Sequence, residues 1–122
     1  MTTTKVLLFD GDRQSPLWGF KTMPDFPYSA ENERLLLNTN LLMTVDLNEK
    51  FECTVDFNKS PLVNNVLAEA FIFNQPMKGR VVIRKKGANP SLDDTEISEI
   101  KNSTDIVSVR LEVGAINLFA KK

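Results

Sequence analysis

Apolar and polar residues alternate with a period of two along much of the chain, which predicts a protein built mostly of β-strands. In the clearest example, residues 51–57, the apolar positions on one face are Phe51, Cys53, Val55 and Phe57. A similar run over residues 41–47 comes just before it, and Asn48-Glu49-Lys50 separates the two runs. The pair therefore predicts a hairpin with a short polar loop.

Other stretches carry the same pattern more briefly. The further predicted strands are residues 5–9, 17–23, 71–74, 80–86 and 105–113. Gly114 then interrupts the pattern before an apolar stretch over residues 115–120, which is typical of a bulge or a tight turn.

Helical signals are short and lie between the strands. Residues 29–37 predict one or two turns with Ser29 as the cap. Residues 61–68 follow Ser60 as a cap, with proline at the first helical position and apolar residues at helical spacing. Residues 91–101 begin with a Ser-x-x-Asp pattern that resembles a capping box, and acids in the first turns suit the helix dipole.

About seven short strands with one or two small helices predict a mostly β fold in a single domain over residues 1–122. We expect a small barrel of the OB type, because residues 61–68 suit the helix that often joins the third and fourth strands of such a barrel. A β-sandwich is the alternative, since alternation with a period of two fits both architectures.

The composition is that of a globular protein, with 42% apolar and 25% charged residues among 122. Cys53 is the only cysteine, so no intrachain disulfide can form. The first residues lack the pattern of a signal peptide, and no apolar run approaches the roughly 20 residues of a membrane span. We therefore expect a cytoplasmic protein that does not associate with a membrane.

The chain contains no histidine, which excludes the serine–histidine and cysteine–histidine arrangements of nucleophilic catalysis. A zinc site is also excluded with one cysteine and no histidine. We expect no enzymatic activity, no catalytic residue, no cofactor and no metal.

One short motif suggests an enzyme. The strand predicted over residues 5–9 runs into Asp10-Gly11-Asp12, which resembles the start of the haloacid-dehalogenase-like phosphatases, where Asp10 would be the nucleophile and Asp12 the acid or base. The chain lacks the alternating strands and helices of those enzymes, so a strand ending in a polar turn is the preferred interpretation.

Positive charge is concentrated between residues 78 and 86, although the net charge is −1. If this segment is extended, Lys78, Arg80, Arg84 and Lys86 share one face at intervals of roughly 6.6–6.8 Å. These four residues are the predicted ligands of a nucleic-acid backbone. The alternative is an edge strand that is kept cationic to prevent aggregation.

Flat rings near a basic surface can stack on the bases of a single strand. The predicted stacking residues are Trp18, Phe20, Tyr28 and Phe73.

In its length, acidic isoelectric point, β pattern and basic segment, the chain resembles the small OB-fold single-stranded DNA-binding proteins of phages, particularly lactococcal phages. The resemblance implies homo-oligomers that coat single-stranded DNA without regard to sequence, in phage replication or recombination. It also implies that the protein acts in the host cytoplasm, with replication or recombination proteins as further partners.

A second hypothesis uses the same strands. The chain would be a structural or adaptor sandwich, and exposed apolar residues would form a protein interface.

Overall fold

The computed structural model describes residues 4–107, and within them it contains eight strands and four short helices. The strands are β1 Thr4–Asp10, β2 Gly19–Phe26, β3 Leu42–Asp46, β4 Phe51–Asp56, β5 Ala70–Ile72, β6 Gln75–Met77, β7 Arg80–Lys85 and β8 Thr104–Ile106. The helices are α1 Ala30–Leu37, a 3-10 turn Phe57–Lys59, α2 Pro61–Asn64 and α3 Asp94–Asn102. The prediction of a mostly β chain with short helices is confirmed.

The described strands form two antiparallel sheets. The larger sheet has the order β2-β1-β7-β4-β3, and the smaller has the order β6-β5-β8. These sheets do not close into a barrel, so the small β-rich fold fits the alternative architecture better than an OB barrel. The predicted hairpin of β3 and β4 is confirmed, with Val45 opposite Cys53.

Both faces of the larger sheet are covered, which divides the described core into two parts. On one face Phe9, Cys53 and Ile83 pack against the smaller sheet and α3. On the other face Leu8 and Val82 pack against Leu37 and the residues around it, so α1 covers this side. A strand buried on both faces is rich in apolar residues, as the sequence Val81-Val82-Ile83 of β7 shows.

The three predicted helices form, although two differ in extent. The predicted caps are confirmed at Ser29, which accepts a hydrogen bond from the Asn32 amide, and at Ser60, which accepts one from the Leu62 amide. Helix α2 is shorter than expected because Asn65 adopts a left-handed conformation with φ of 54°.

Helix α3 begins later than the sequence suggested. Asp93 is its cap, and a reciprocal capping box joins Asp93 to Glu96. Ser91 was expected to start the helix, but its hydroxyl accepts a hydrogen bond from the Lys5 amide instead, at 3.0 Å.

Two predicted strands differ from the structure in extent or lie partly outside the described residues. The strand over residues 71–74 ends at Ile72, because Phe73 and Asn74 have positive φ and form the two-residue turn to β6. The strand predicted over residues 105–113 begins as β8, but its later part and the apolar stretch over residues 115–120 lie outside the described residues.

Candidate interaction surfaces

The basic segment is extended, as predicted, but β7 is the central strand of the larger sheet. It pairs with β1 on one side and β4 on the other. The interpretation of this segment as a cationic edge strand is therefore wrong. Its polar face is not open either, because α1 packs over the side that carries Val82.

Arg84 is buried with only 6% of its surface exposed. Its Nε donates a hydrogen bond to Glu52 Oε2 at 3.1 Å, and its Nη1 donates to Glu33 Oε2 at 3.1 Å and to the Thr54 hydroxyl. The guanidinium is thus enclosed between α1 and the sheet. This geometry does not favour the prediction that Arg84 binds a nucleic-acid backbone, because its donors are already bonded to three side chains.

The pKa values of two groups beside Arg84 are raised by the same burial. Burial raises the pKa of the Glu33 carboxyl above its ordinary value, although the Arg84 charge acts in the opposite direction. Burial also raises the pKa of the Tyr28 hydroxyl. The Tyr28 ring lies 5.4 Å from the Arg84 guanidinium carbon, so this predicted stacking residue covers the ion pair.

Arg80 is occupied in a similar way. Its Nε donates to Asp10 Oδ2 at 3.2 Å, and its Nη1 donates to the Leu36 carbonyl at 3.1 Å. Asp10 is 2% exposed, and its other oxygen accepts a hydrogen bond from the Asp12 amide. Strand β1 therefore ends in a polar turn at Asp10-Gly11-Asp12, which is the structure that the sequence analysis preferred for this motif.

The lysines of the basic segment also have acidic partners. The nitrogen–oxygen distances are 3.9 Å for Lys78 with Glu69, 3.3 Å for Lys85 with Glu96 and 3.4 Å for Lys86 with Asp46. Every cation between residues 78 and 86 thus faces a carboxylate from another part of the chain. Lys78, Arg80 and Lys86 are half-buried, and the positive segment compensates acids rather than forming a free basic groove.

Of the predicted stacking residues, Phe20 and Phe73 are half-buried against the core. Phe20 lies 4.7 Å from the Phe9 ring, and Phe73 stacks on Phe51 at 5.8 Å, both distances between ring centroids. These rings stabilise the layer between the two sheets. Neither lies beside the basic face of β7.

Trp18 is the most exposed of the predicted stacking residues, at 44%. The Arg13 guanidinium carbon lies 6.0 Å from the Trp18 ring, and the Lys101 ammonium lies 5.9 Å from the Phe20 ring. The structure therefore brings Trp18 and Phe20 to the start of β2, each with a cation beside it. We call these four residues the Trp18 surface.

A surface that the sequence reasoning missed follows β4. Six large apolar side chains are exposed there, and we call them the apolar patch: Leu41, Phe57, Leu62, Val63, Val66 and Leu67. The Leu41 carbonyl accepts a hydrogen bond from the Phe57 amide at 2.8 Å, and the Phe57 carbonyl accepts one from Asn64 Nδ2 at 2.7 Å. These bonds hold α2 beside the end of the β3–β4 hairpin.

The helical spacing of Leu62, Val63, Val66 and Leu67 predicts a helix over residues 61–68. Because α2 ends at Asn64, the four side chains do not form one helical face, and all of them are exposed. The signal that could have indicated the patch is charge, since Lys59 is the only charged residue between residues 57 and 68.

A polar cavity of about 290 Å³ lies where β1 and β4 end and β7 begins. Its charged lining residues are Asp10, Asp12, Asp56, Lys59 and Arg80. Carboxylates outnumber cations in this lining, so its net charge is negative and disfavours a phosphate. Within residues 4–107, no group of three or more acidic or cysteine side chains is placed to hold a metal ion.

Comparison of the chain with protein-family models, with curated proteins and with solved structures found no match. The resemblance to phage DNA-binding proteins stays a prediction. Among the described residues, none of the helices is both long enough and apolar enough to cross a membrane.

Proposed function

We propose that this protein acts by binding another protein through the apolar patch, as a structural or adaptor domain. The observation that supports this proposal is the exposure of six large apolar side chains beside the β3–β4 hairpin. Exposed apolar residues scattered singly need no explanation, whereas a concentrated group marks an interaction site.

The size of the patch fits this role. A fully exposed side chain of this kind has a surface of roughly 200 Å², so the six together expose on the order of 500 Å². This summed exposure is comparable in size to the largest apolar patches found on monomers, which are often functional.

The chemistry of the patch fits it as well. Charged residues are depleted at the centres of protein interfaces, because each buried charge must be stripped of water. Lys59 is the one charged residue between the apolar ones, and the exposed asparagines Asn58, Asn64 and Asn65 are neutral. They can form hydrogen bonds at the rim of an interface without this penalty.

Site-specific photo-crosslinking tests the proposal. A benzophenone amino acid is placed at position 67 or at position 35 and irradiated in the cell that makes the protein. Leu67 and Leu35 are both 74% exposed, but Leu35 lies on α1, outside the patch. We expect a discrete protein adduct from position 67 and none from position 35. Equal yields at both positions would contradict the proposal.

A second candidate is single-stranded DNA binding at the Trp18 surface, in place of β7. It is favoured by the exposed Trp18 ring with Arg13 beside it and by Lys101 beside the Phe20 ring. An aromatic ring next to cations can stack a base and hold the adjoining phosphate, and each stacked base contributes roughly 1–3 kcal/mol.

Fluorescence anisotropy with labelled oligo-dT at low salt tests this candidate. We expect Trp18→Ala to weaken binding roughly tenfold or more, because it removes the stacking ring. Phe57→Ala is the matched control, since it removes an exposed ring from the apolar patch. If the unmodified protein gives no change in anisotropy, or if the two variants bind equally, DNA binding at the Trp18 surface is excluded.

A further inference from the structure

We infer that the occupant of the apolar patch is a second copy of this chain, and that two copies join patch to patch about a two-fold axis. This inference rests on the proposed function and identifies its partner. Two-fold dimers are the commonest symmetric assemblies of soluble proteins, and in them the same surface is used on both subunits.

The area of the patch matches what such a dimer needs. Interfaces between identical subunits are about 65% apolar, and a standard interface buries about 800 Å² on each partner. An apolar area on the order of 500 Å² is therefore the expected share of one such interface. Asn58, Asn64 and Asn65 are exposed in the same segment and can supply polar contacts across the interface.

The charge of the patch permits self-association. In a two-fold dimer the same patch of each subunit faces the other. A patch rich in charges of one sign would therefore repel its copy. Between residues 57 and 68 the single charge is that of Lys59, and the other residues are neutral. Two patches can therefore meet with little repulsion between like charges.

The net charge of the whole chain also permits self-association. The formal net charge is −1, which gives only weak long-range repulsion between two copies. A protein with so little net charge depends on its surface composition to remain monomeric, and here an exposed apolar surface favours association.

Sedimentation velocity over protein concentrations from roughly 1 to 100 µM tests the inference. We expect the unmodified chain to shift from the 13.8 kDa monomer toward a species of twice that mass. Leu67→Asp places a charge in the patch and should weaken association roughly tenfold or more. Leu35→Asp makes the same change at a residue of equal exposure on α1 and should associate like the unmodified chain.

Circular dichroism of both variants shows whether the fold is kept, and Leu67→Ala serves as a milder variant if Leu67→Asp does not fold. A chain that stays monomeric at every concentration overturns the inference. So does a dimer that Leu67→Asp and Leu67→Ala leave intact, because association would then use another surface, such as the edge strand β3.

The crosslinking experiment separates this failure from failure of the proposed function. A monomeric chain that still forms a position-67 adduct with a different protein disproves self-association and leaves the proposed function standing. A monomeric chain without any adduct specific to position 67 contradicts both.

Discussion

At the scale of single residues, the decisive feature is the set of partners around Arg84. Three separate parts of the chain meet there, since Arg84 bonds to Glu33 of α1 and to Glu52 and Thr54 of β4. A run of cations in a sequence shows where the positively charged residues lie along the chain, but not whether their side chains are exposed to solvent. The cations of the basic segment are paired with carboxylates within the fold.

Replacing Arg84 by methionine tests this structural role. Arg84→Met keeps much of the side-chain volume but leaves Glu33 buried without its cation, so we expect the free energy of unfolding to fall by about 3 kcal/mol. Arg34→Met on the exposed side of α1 is the control and should change it by roughly 0.5 kcal/mol or less. Urea unfolding of both variants at neutral pH measures the difference, and equal effects would argue against a buried ion pair.

The raised pKa of Glu33 predicts a pH dependence of stability. In the folded protein burial raises this pKa, so the folded state holds the proton more tightly than the unfolded state does. The resulting stabilisation is fully present below the ordinary pKa of 4.5 and is lost as the pH rises through the folded-state pKa.

Glu33→Gln removes this titration while keeping a neutral side chain of similar shape. We therefore expect the stability of the unmodified chain relative to Glu33→Gln to decrease as the pH rises from about 4 to about 7. Urea unfolding of both proteins at these two pH values measures whether the relative stability decreases. A relative stability that increases with pH over this range would mean that the charge of Arg84 outweighs burial.

Cys53 gives a third prediction at this scale. The thiol is fully buried among apolar residues, and burial raises its pKa to about 12. Because the thiolate is the reactive form, we expect no reaction with a thiol reagent at about pH 8 in the folded protein and complete reaction in urea. Rapid labelling of the folded chain would show that this part of the core opens readily.

Among helices and strands, the sequence predicts best those features that depend on residues close together in the chain. The β3–β4 hairpin follows from strict alternation, and the caps at Ser29 and Ser60 follow from side chains that bond to the nearest free amides. The extent of α2 could not be predicted, because the left-handed conformation of Asn65 is one of several that asparagine adopts. That single residue determines whether Val66 and Leu67 continue a helix.

The capping box of α3 gives a prediction with a close control. Asp93 accepts a hydrogen bond from the Glu96 amide at 2.8 Å, and Glu96 accepts one from the Asp93 amide at 2.9 Å. We expect Asp93→Ala to lower the free energy of unfolding by about 1 kcal/mol. Asp94→Ala, one residue later, removes only an exposed contact with Lys5 and should change it by a few tenths of a kcal/mol. Thermal or urea unfolding distinguishes the two, and equal losses would contradict Asp93 as the cap.

At the scale of the whole molecule, strand order determines which surfaces are free. A period-two pattern identifies β7 as a strand but cannot show that it lies between β1 and β4, because this order depends on contacts between residues far apart in sequence. The same is true of the Trp18 surface, where Lys101 of α3 meets Phe20 of β2. Candidate residues could be chosen from the sequence, but their grouping into surfaces required the fold.

Occupation of the apolar patch by a partner is tested by comparing how fast thiols at two equally exposed positions are labelled. Leu67→Cys and Leu35→Cys are treated with a membrane-permeant thiol reagent in the cell that makes the protein, where the buried Cys53 adds little background. If the apolar patch is occupied by a partner, position 67 will react roughly tenfold more slowly than position 35, while both react equally in urea. Equal rates for the two positions in the cell would show that no partner covers the apolar patch.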